Sequence, residues 1–262
     1  MSRTRTTQMT SIVIPACDIR QNNKEDLENL LTSVSPSFFR GWDQVVVCFD
    51  GCKEEFVDYF RQKFPFIHVI WNRGNALGFT NNSNMGLRFV RNELKSGAFL
   101  VNQDCVLPAW EHLSKVIGEG LATPMTTDNI DLLTNQPKEV VKTRLTNKFA
   151  FFCPYFSYNL LKDVGLLDPD LKVLFSDDCY VFKTLLHGKY PVESVNIYIH
   201  HKGSHIEIKE GWESKSGSYK NHDLGIGLLQ YRLKLGMQGV PHDSIIPEAL
   251  KKLTWSDDMR ID

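Results

Sequence analysis

The sequence has almost no charge imbalance: its 262 residues carry 30 Lys and Arg against 31 Asp and Glu, a formal charge of -1. That balance removes any chain-wide electrostatic reason to bind nucleic acid or an anionic membrane, so a polyanionic partner has to be held locally. Long apolar runs are missing too. No stretch approaches the roughly 18 to 20 continuous apolar residues of a bilayer span, and no apolar core follows the basic start MSRTRTTQMT. A soluble, unexported, cytoplasmic protein is expected. The six cysteines, at 17, 48, 52, 105, 153 and 179, form no C-x-x-C pair, and several sit in apolar runs, where free Cys packs as a small core residue. Free thiols in a reducing compartment fit best, with metal binding by Cys48 and Cys52 the lesser reading. Also absent is a Gly-x-Gly-x-x-Gly turn after the first apolar run, which sets aside a dinucleotide-dependent dehydrogenase.

What is present is 42% apolar and 11% aromatic residues, enough to bury a sizeable core in one large domain with a C-terminal appendage. TSIVIPACD is a β-rich run stopped at Pro15. EDLENLLTSV carries Leu27, Leu30, Leu31 and Val34 at helical spacing, with Asp26 and Glu28 early, where the helix dipole favours acids. DQVVVCFDG is a second strand, KEEFVDYFRQKF a helix, IHVIWN a strand, NNSNMGLRFVRNEL a helix and GAFLVNQD a fourth strand. Strands and helices alternating over short connections predict a doubly wound, mostly parallel α/β sheet over the first 110 residues. Ligands bind such a sheet beyond the carboxyl ends of its strands, where Asp18, Asp50 and Asp104 fall.

Residues 120–147 are polar and broken by Pro and read as a long connection. An aromatic run, FAFFCPYFSYNLLKDVGLLD, is followed by the acidic pair Asp177 and Asp178 and a β-branched strand, VESVNIYIHH. An amphipathic helix weakened by two glycines and a short terminal helix close the chain.

An acid at the tip of FLVNQD can cap a following helix. Its company points further: Asp177 and Asp178, then His200 and His201 at a strand end, supply the other donors that a divalent cation and a phosphate-bearing ligand recruit. Adjacent acids can equally begin a helix, and the two readings are compatible.

Taken in order, these segments resemble a known family, the nucleotide-sugar-dependent glycosyltransferases of the GT-A fold, family 2 type, including rhamnosyltransferase-like members. SIVIPACD looks like the family's first strand, and NALGFTNNSNMGL is similar to its Asn-x-Gly-Phe and Asn-x-Gly segment. FLVNQDCVLPAW looks like its metal strand, VGLLDPDLKVLFSDDCYVFKTLLHGKY its acidic-pair segment, and IHHKGS its late His-x-x-Gly-Ser element. The resemblance covers about residues 10 to 205. It implies a GT-A domain over 1–210, with a nucleotide-binding part at about 10–110 and an acceptor and catalytic part at about 147–210, and a helical extension at 211–262.

Position by position, the resemblance implies that Asp104 binds Mn2+ or Mg2+ bridging a diphosphate, with His200 or His201 as a late ligand. His200 is the better match, three residues before Gly203. Asn102 stands where many relatives carry the first acid of Asp-x-Asp, and an amide holds a dication less strongly. Pro15, Ala16 and Asp18 would frame the base, Asp50 would meet the ribose or base, and Asn84, Gly86, Asn102 and Gln103 would lie on the nucleotide. For Asn84 and Gly86 a helix start or packing contact is the alternative. Asp178 matches the general base of inverting relatives, and Asp177 would contact the acceptor. The implied partners are a nucleoside-diphosphate sugar and a glycan or other hydroxyl acceptor.

Two other readings stay open. A sugar-1-phosphate nucleotidyltransferase uses a related sheet, although no Gly-rich basic loop follows the first strand. A non-catalytic sugar-nucleotide or glycan-binding domain would keep the fold, and Asn102 makes it thinkable.

Overall fold

The computed structural model describes residues 9–18, 22–38, 44–144, 151–169, 171 and 176–202. The expected C-terminal extension at 211–262 lies outside them, and so does Gly203. The first half alternates as its periodicity predicts: β1 (Thr10–Ala16), α1 (Asn23–Phe38), β2 (Gln44–Asp50), α2 (Glu54–Lys63), β3 (Ile67–Asn72), α3 (Phe79–Phe89) and β4 (Gly97–Leu100). All seven residues of β1 are buried, because a strand covered on both faces needs no polar side.

Alternate side chains of these strands feed two cores. Ile12, Ile14, Val45, Val47 and Phe99 meet the apolar faces of α1 and α2, including Leu27, Leu30, Val57 and Phe60. Val13, Val46, Ala98 and Leu100 meet Leu87 of α3 and the later helices. The sheet is therefore the middle layer of three.

Beyond β4 come β5 (Cys105–Val106), α4 (Trp110–Leu113), β6 (Leu121–Thr126), α5 (Asp131–Thr134), β7 (Lys142–Arg144), β8 (Tyr155–Phe156), α6 (Tyr158–Asp163), α7 (Ser176–His187) and β9 (Val192–His201). The strands lie in the order β3-β2-β1-β4-β8-β6-β9-β5, with β7 beside β9. β1 to β4 are mutually parallel. β8 runs against both β4 and β6, so β6 returns to the direction of β4, and β9 runs parallel to β6. Six strands thus point one way, and the ends of β1, β2, β4, β6 and β9 share one rim. The result is a mixed α/β fold of GT-A type.

The described part of the stretch 120–147, residues 120–144, differs from the expected long connection. Leu121–Thr126 is an interior strand whose register with β9 shifts between Pro124 and Met125. Pro124 escapes detection because it lies past the end of β8, which pairs only Leu121 and Ala122, so its missing N–H is not called on by that neighbour. The rest is tied down by side chains that imitate a strand. Gln136 exchanges two hydrogen bonds of 2.8 Å with the Tyr198 backbone, and Asn196 bonds the backbone at Glu139 and Val141. Among the described residues no helix is long and apolar enough to cross a membrane.

Candidate functional site

At the rim of the first half, the predicted residues bind mainly other groups of the fold. Asp50, 4% exposed, accepts hydrogen bonds from Asn72 Nδ2 at 2.8 Å, from the backbone of Leu77 at 2.7 Å and from that of Gly78 at 3.0 Å. Its carboxylate closes the loop that leads into α3. Asp18 accepts from the backbone N–H of Lys53 at 2.9 Å, where α2 begins, so a negative charge meets the positive end of the helix dipole. Pro15 faces the same neighbour as Val13, whose carbonyl accepts from Val101 as β4 ends; a proline there costs no ladder bond. Ala16 offers its carbonyl to Asn82 Nδ2 at 3.3 Å. Gln103 reaches back from β4 to accept from the backbone of Cys17 at 2.8 Å, joining the two tips.

Asn84 and Gly86 lie inside the fold. The Asn84 amide exchanges two hydrogen bonds, 2.8 and 3.0 Å, with the Leu167 backbone. A Cβ on Gly86 would stand 2.3 Å from Val13 Cγ1 and 2.8 Å from Cys48 Sγ, so glycine is required for α3 to lie on the sheet. Both follow the packing alternative.

The rim of the second half is built differently. A turn closed by Cys105 N–H on the Asn102 carbonyl, 3.0 Å, folds Asp104 back before β5 begins. Antiparallel pairing then sets Cys105 opposite His201 and Val106 opposite His200. Directly opposed residues point to the same face, so His201 joins Asp104 and Cys105 while His200 turns away. His201 Nε2 lies 3.2 Å from Asp104 Oδ1, with side chains 10% and 16% exposed. His200 Nδ1 is bound instead to the Thr127 carbonyl at 2.8 Å. The motif spacing that favours His200 is overruled by strand register.

Asn102 Nδ2 also stands 3.5 Å from His201 Nε2, and Asn102 Oδ1 is buried with no hydrogen-bond partner. One ring nitrogen cannot at once accept from an amide and donate to a carboxylate. If its lone pair faces Asn102, that lone pair and the Asp104 carboxylate confront each other with no proton between them, an arrangement a cation relieves. Asp104, Cys105 and His201 each offer a donor atom within 4.8 Å of the others.

The acids of α7 occupy its first turn, as the dipole argument expects. Asp177 Oδ1 accepts from the backbone N–H of Asp178 at 3.0 Å, and the Phe151 backbone N–H bonds the same carboxylate. Burial, and after it the neighbouring Asp178 charge, push the Asp177 carboxyl up to about 7.

Phe151 and Phe152 connect this pair to the Asp104 cluster. The Phe152 ring stacks on His201, centroids 3.9 Å apart. Its carbonyl accepts from Asn102 N–H at 2.9 Å and from Cys105 Sγ at 3.3 Å. Asp177 is therefore one residue removed, through Phe151, from the group that orients His201. Neither Phe152 nor Cys105 is singled out by sequence reasoning; both look like core residues in apolar runs, and no spacing rule marks a ring that stacks on a histidine. Lys202, adjacent in sequence, pairs with Asp26 at 2.9 Å and ties the end of β9 to α1.

No model of a known protein family matches the chain, and no curated protein does. Solved structures do. The chain is similar in fold to GalNAc-T7 with UDP, GalNAc and Mn2+, at a TM-score of 0.56 and 13% identity, over 74% of this chain and 43% of that one. It is also similar to the mannosyltransferase PcManGT from Pyrobaculum calidifontis in complex with GDP-Man and Mn2+, at 0.54 and 14%, over 74% and 56%. A third is S. aureus TarS 1-349 in complex with UDP-GlcNAc, at 0.55 and 17%, over 76% and 60%. The chain thus spans about half the length of these structures. At such identities the likeness establishes a shared fold.

Proposed function

We propose that the chain is an inverting nucleotide-sugar glycosyltransferase of family 2 type, moving a sugar from a nucleoside diphosphate to a hydroxyl of a glycan or similar acceptor. The observation that carries this reading is the gathering at one rim of Asp104 and His201 with, one dipeptide away, Asp177 and Asp178. Support comes also from the fold neighbours, two of them solved with Mn2+ and a nucleotide or sugar nucleotide.

In this reading Asp178 takes the proton of the acceptor hydroxyl as its oxygen attacks the anomeric carbon, and the bond to the diphosphate oxygen breaks on the opposite side. Asp177, fixed by two backbone N–H groups, holds the start of α7 and meets the acceptor. Asp18, Asp50 and Gln103 shape the loops that cradle the nucleotide. Asp104 and His201 fit a divalent cation, Mn2+ or Mg2+, because they set a carboxylate and an imidazole 3.2 Å apart beside the unpartnered Asn102 carbonyl. Such a cation supplies positive charge to the departing diphosphate. We place the reaction in the cytoplasm because none of the six cysteines is in a disulfide, as suits a reducing compartment.

The test is turnover of UDP-, GDP- and dTDP-sugars with Mn2+ or Mg2+. Asp178→Asn should lower the transfer rate by roughly a hundredfold or more while leaving nucleotide affinity in place. An undiminished rate removes Asp178 as the base.

A further inference from the structure

Cys105 stands in the described cluster without a part in the reaction above. It is 2% exposed, is paired across the strands with His201, and is brought to the same side as Asp104 by the 102–105 turn. Donors at about 2.0 to 2.3 Å from a tetrahedral dication lie about 3.4 to 3.6 Å from one another. Asp104 and His201, at 3.2 Å, are already close to that separation. The sulfur, within 4.8 Å of both, needs to travel about 1 Å, which a turn about χ1 supplies when the thiol gives up the Phe152 carbonyl. The buried, unpartnered Asn102 Oδ1 beside His201 is an independent sign that something else is to be bound here.

We infer that Cys105 is the third protein donor to the cation at this rim, and that the site ranks dications by their affinity for sulfur, Zn2+ and Co2+ first, Mn2+ next and Mg2+ last. Three protein donors leave one position open, the pattern of sites that act on a ligand and not of purely structural ones. The inference deepens the glycosyltransferase reading and rests on it for the occupant of that open position, a diphosphate oxygen. A thiolate contributes to the ranking because a soft donor favours late, borderline ions over hard ones. The S–H bond breaks as the sulfur–cation bond forms, and the proton leaves to solvent.

The experiment is optical titration of the full chain with Co2+ alone. The expected result is a sulfur-to-cobalt charge-transfer band together with the visible bands of four-coordinate cobalt, saturating near one equivalent. Zn2+ should abolish both stoichiometrically, and Mg2+ should leave them in place at about a hundredfold excess. Cys105→Ser should lose the charge-transfer band, bind Zn2+ on the order of a hundredfold more weakly and hold Mg2+ almost as before. Cys153→Ser should keep the band, and its loss in His201→Ala gives a second handle if Cys105→Ser does not fold. Absence of cobalt binding, saturable binding with no charge-transfer band, or a band that survives in Cys105→Ser overturns the inference. Sugar-nucleotide turnover measured with Mn2+, Co2+ and Mg2+ in turn separates the two ideas: turnover with any of them and no band removes the thiol donor and keeps the transferase, and the band with no turnover on any of them does the reverse.

Discussion

Two stretches of one rim, the tips of β1–β3 and the tips of β4 and β9, both carry carboxylates, yet they spend them differently. Asp50 is saturated by three donors from its own chain, and Asp18 is taken up by the start of α2. At the other stretch, Asn102 keeps an acceptor unpartnered, Asp104 faces a histidine nitrogen, and burial together with the Asp178 charge disfavours the charge on Asp177. A carboxylate whose lone pairs are all answered builds a loop. A buried acceptor left unanswered beside a carboxylate and an imidazole is an arrangement that a ligand can complete. Sequence position at a strand tip does not tell these apart; the partners that the fold brings to each group do.

The largest expected effect that would break this contrast is on stability. Asp50→Ala leaves three donors unanswered in a buried site and should cost about 3 kcal/mol or more, measured by urea unfolding. Asp104→Ala should cost clearly less stability than Asp50→Ala while removing cation-dependent nucleotide binding. If the two variants behave alike, the contrast fails. Next comes the choice of histidine: His201→Ala should weaken cation affinity about tenfold to a hundredfold and His200→Ala hardly at all, read by calorimetric titration. A reversed order would mean that strand register does not decide the ligand.

Gly86→Ala should destabilise by about 2 kcal/mol, since the added methyl collides with Val13 and Cys48, and it should leave nucleotide affinity per folded molecule intact. A selective loss of nucleotide binding in a stable variant would move Gly86 from the fold to the site. The smallest effect concerns pH. The folded state holds the Asp177 proton to about 7, above the unfolded chain, so stability from this group falls as pH rises from the ordinary carboxylate range through that value. Asp177→Asn has no such proton to lose. Its melting temperature should gain on that of the parent by a few degrees between pH 5 and pH 8, and a parent that holds level with or gains on the variant over that range would contradict the assignment.

The two halves also differ in how far they can be read from sequence. β1 to β4 and their helices follow from periodicity because each strand is a short, continuous apolar run and each helix keeps its spacing. β6 does not, because Pro124 breaks its pattern at a place where the partner strand has already ended. β5 is two residues long and offers no period at all.

For the site, the order of the motifs named Asp104, Asp177, Asp178 and the two histidines. Phe152 and Cys105 were invisible, since an aromatic that stacks on a histidine and a thiol paired opposite one look like any other core residue.

By itself the sequence determined the class of layered α/β fold, the strand ends at which acids appear and the residue types available for chemistry, because these depend on local pattern and on the fixed period of each element. Only the tertiary structure decided that Asp50 and Asn84 are spent on the fold, that His201 and not His200 faces Asp104, and that Phe152 and Cys105 belong beside them. Those outcomes follow from strand register and from which donors converge on a given acceptor, and both are set by residues about twenty to a hundred positions apart in the chain.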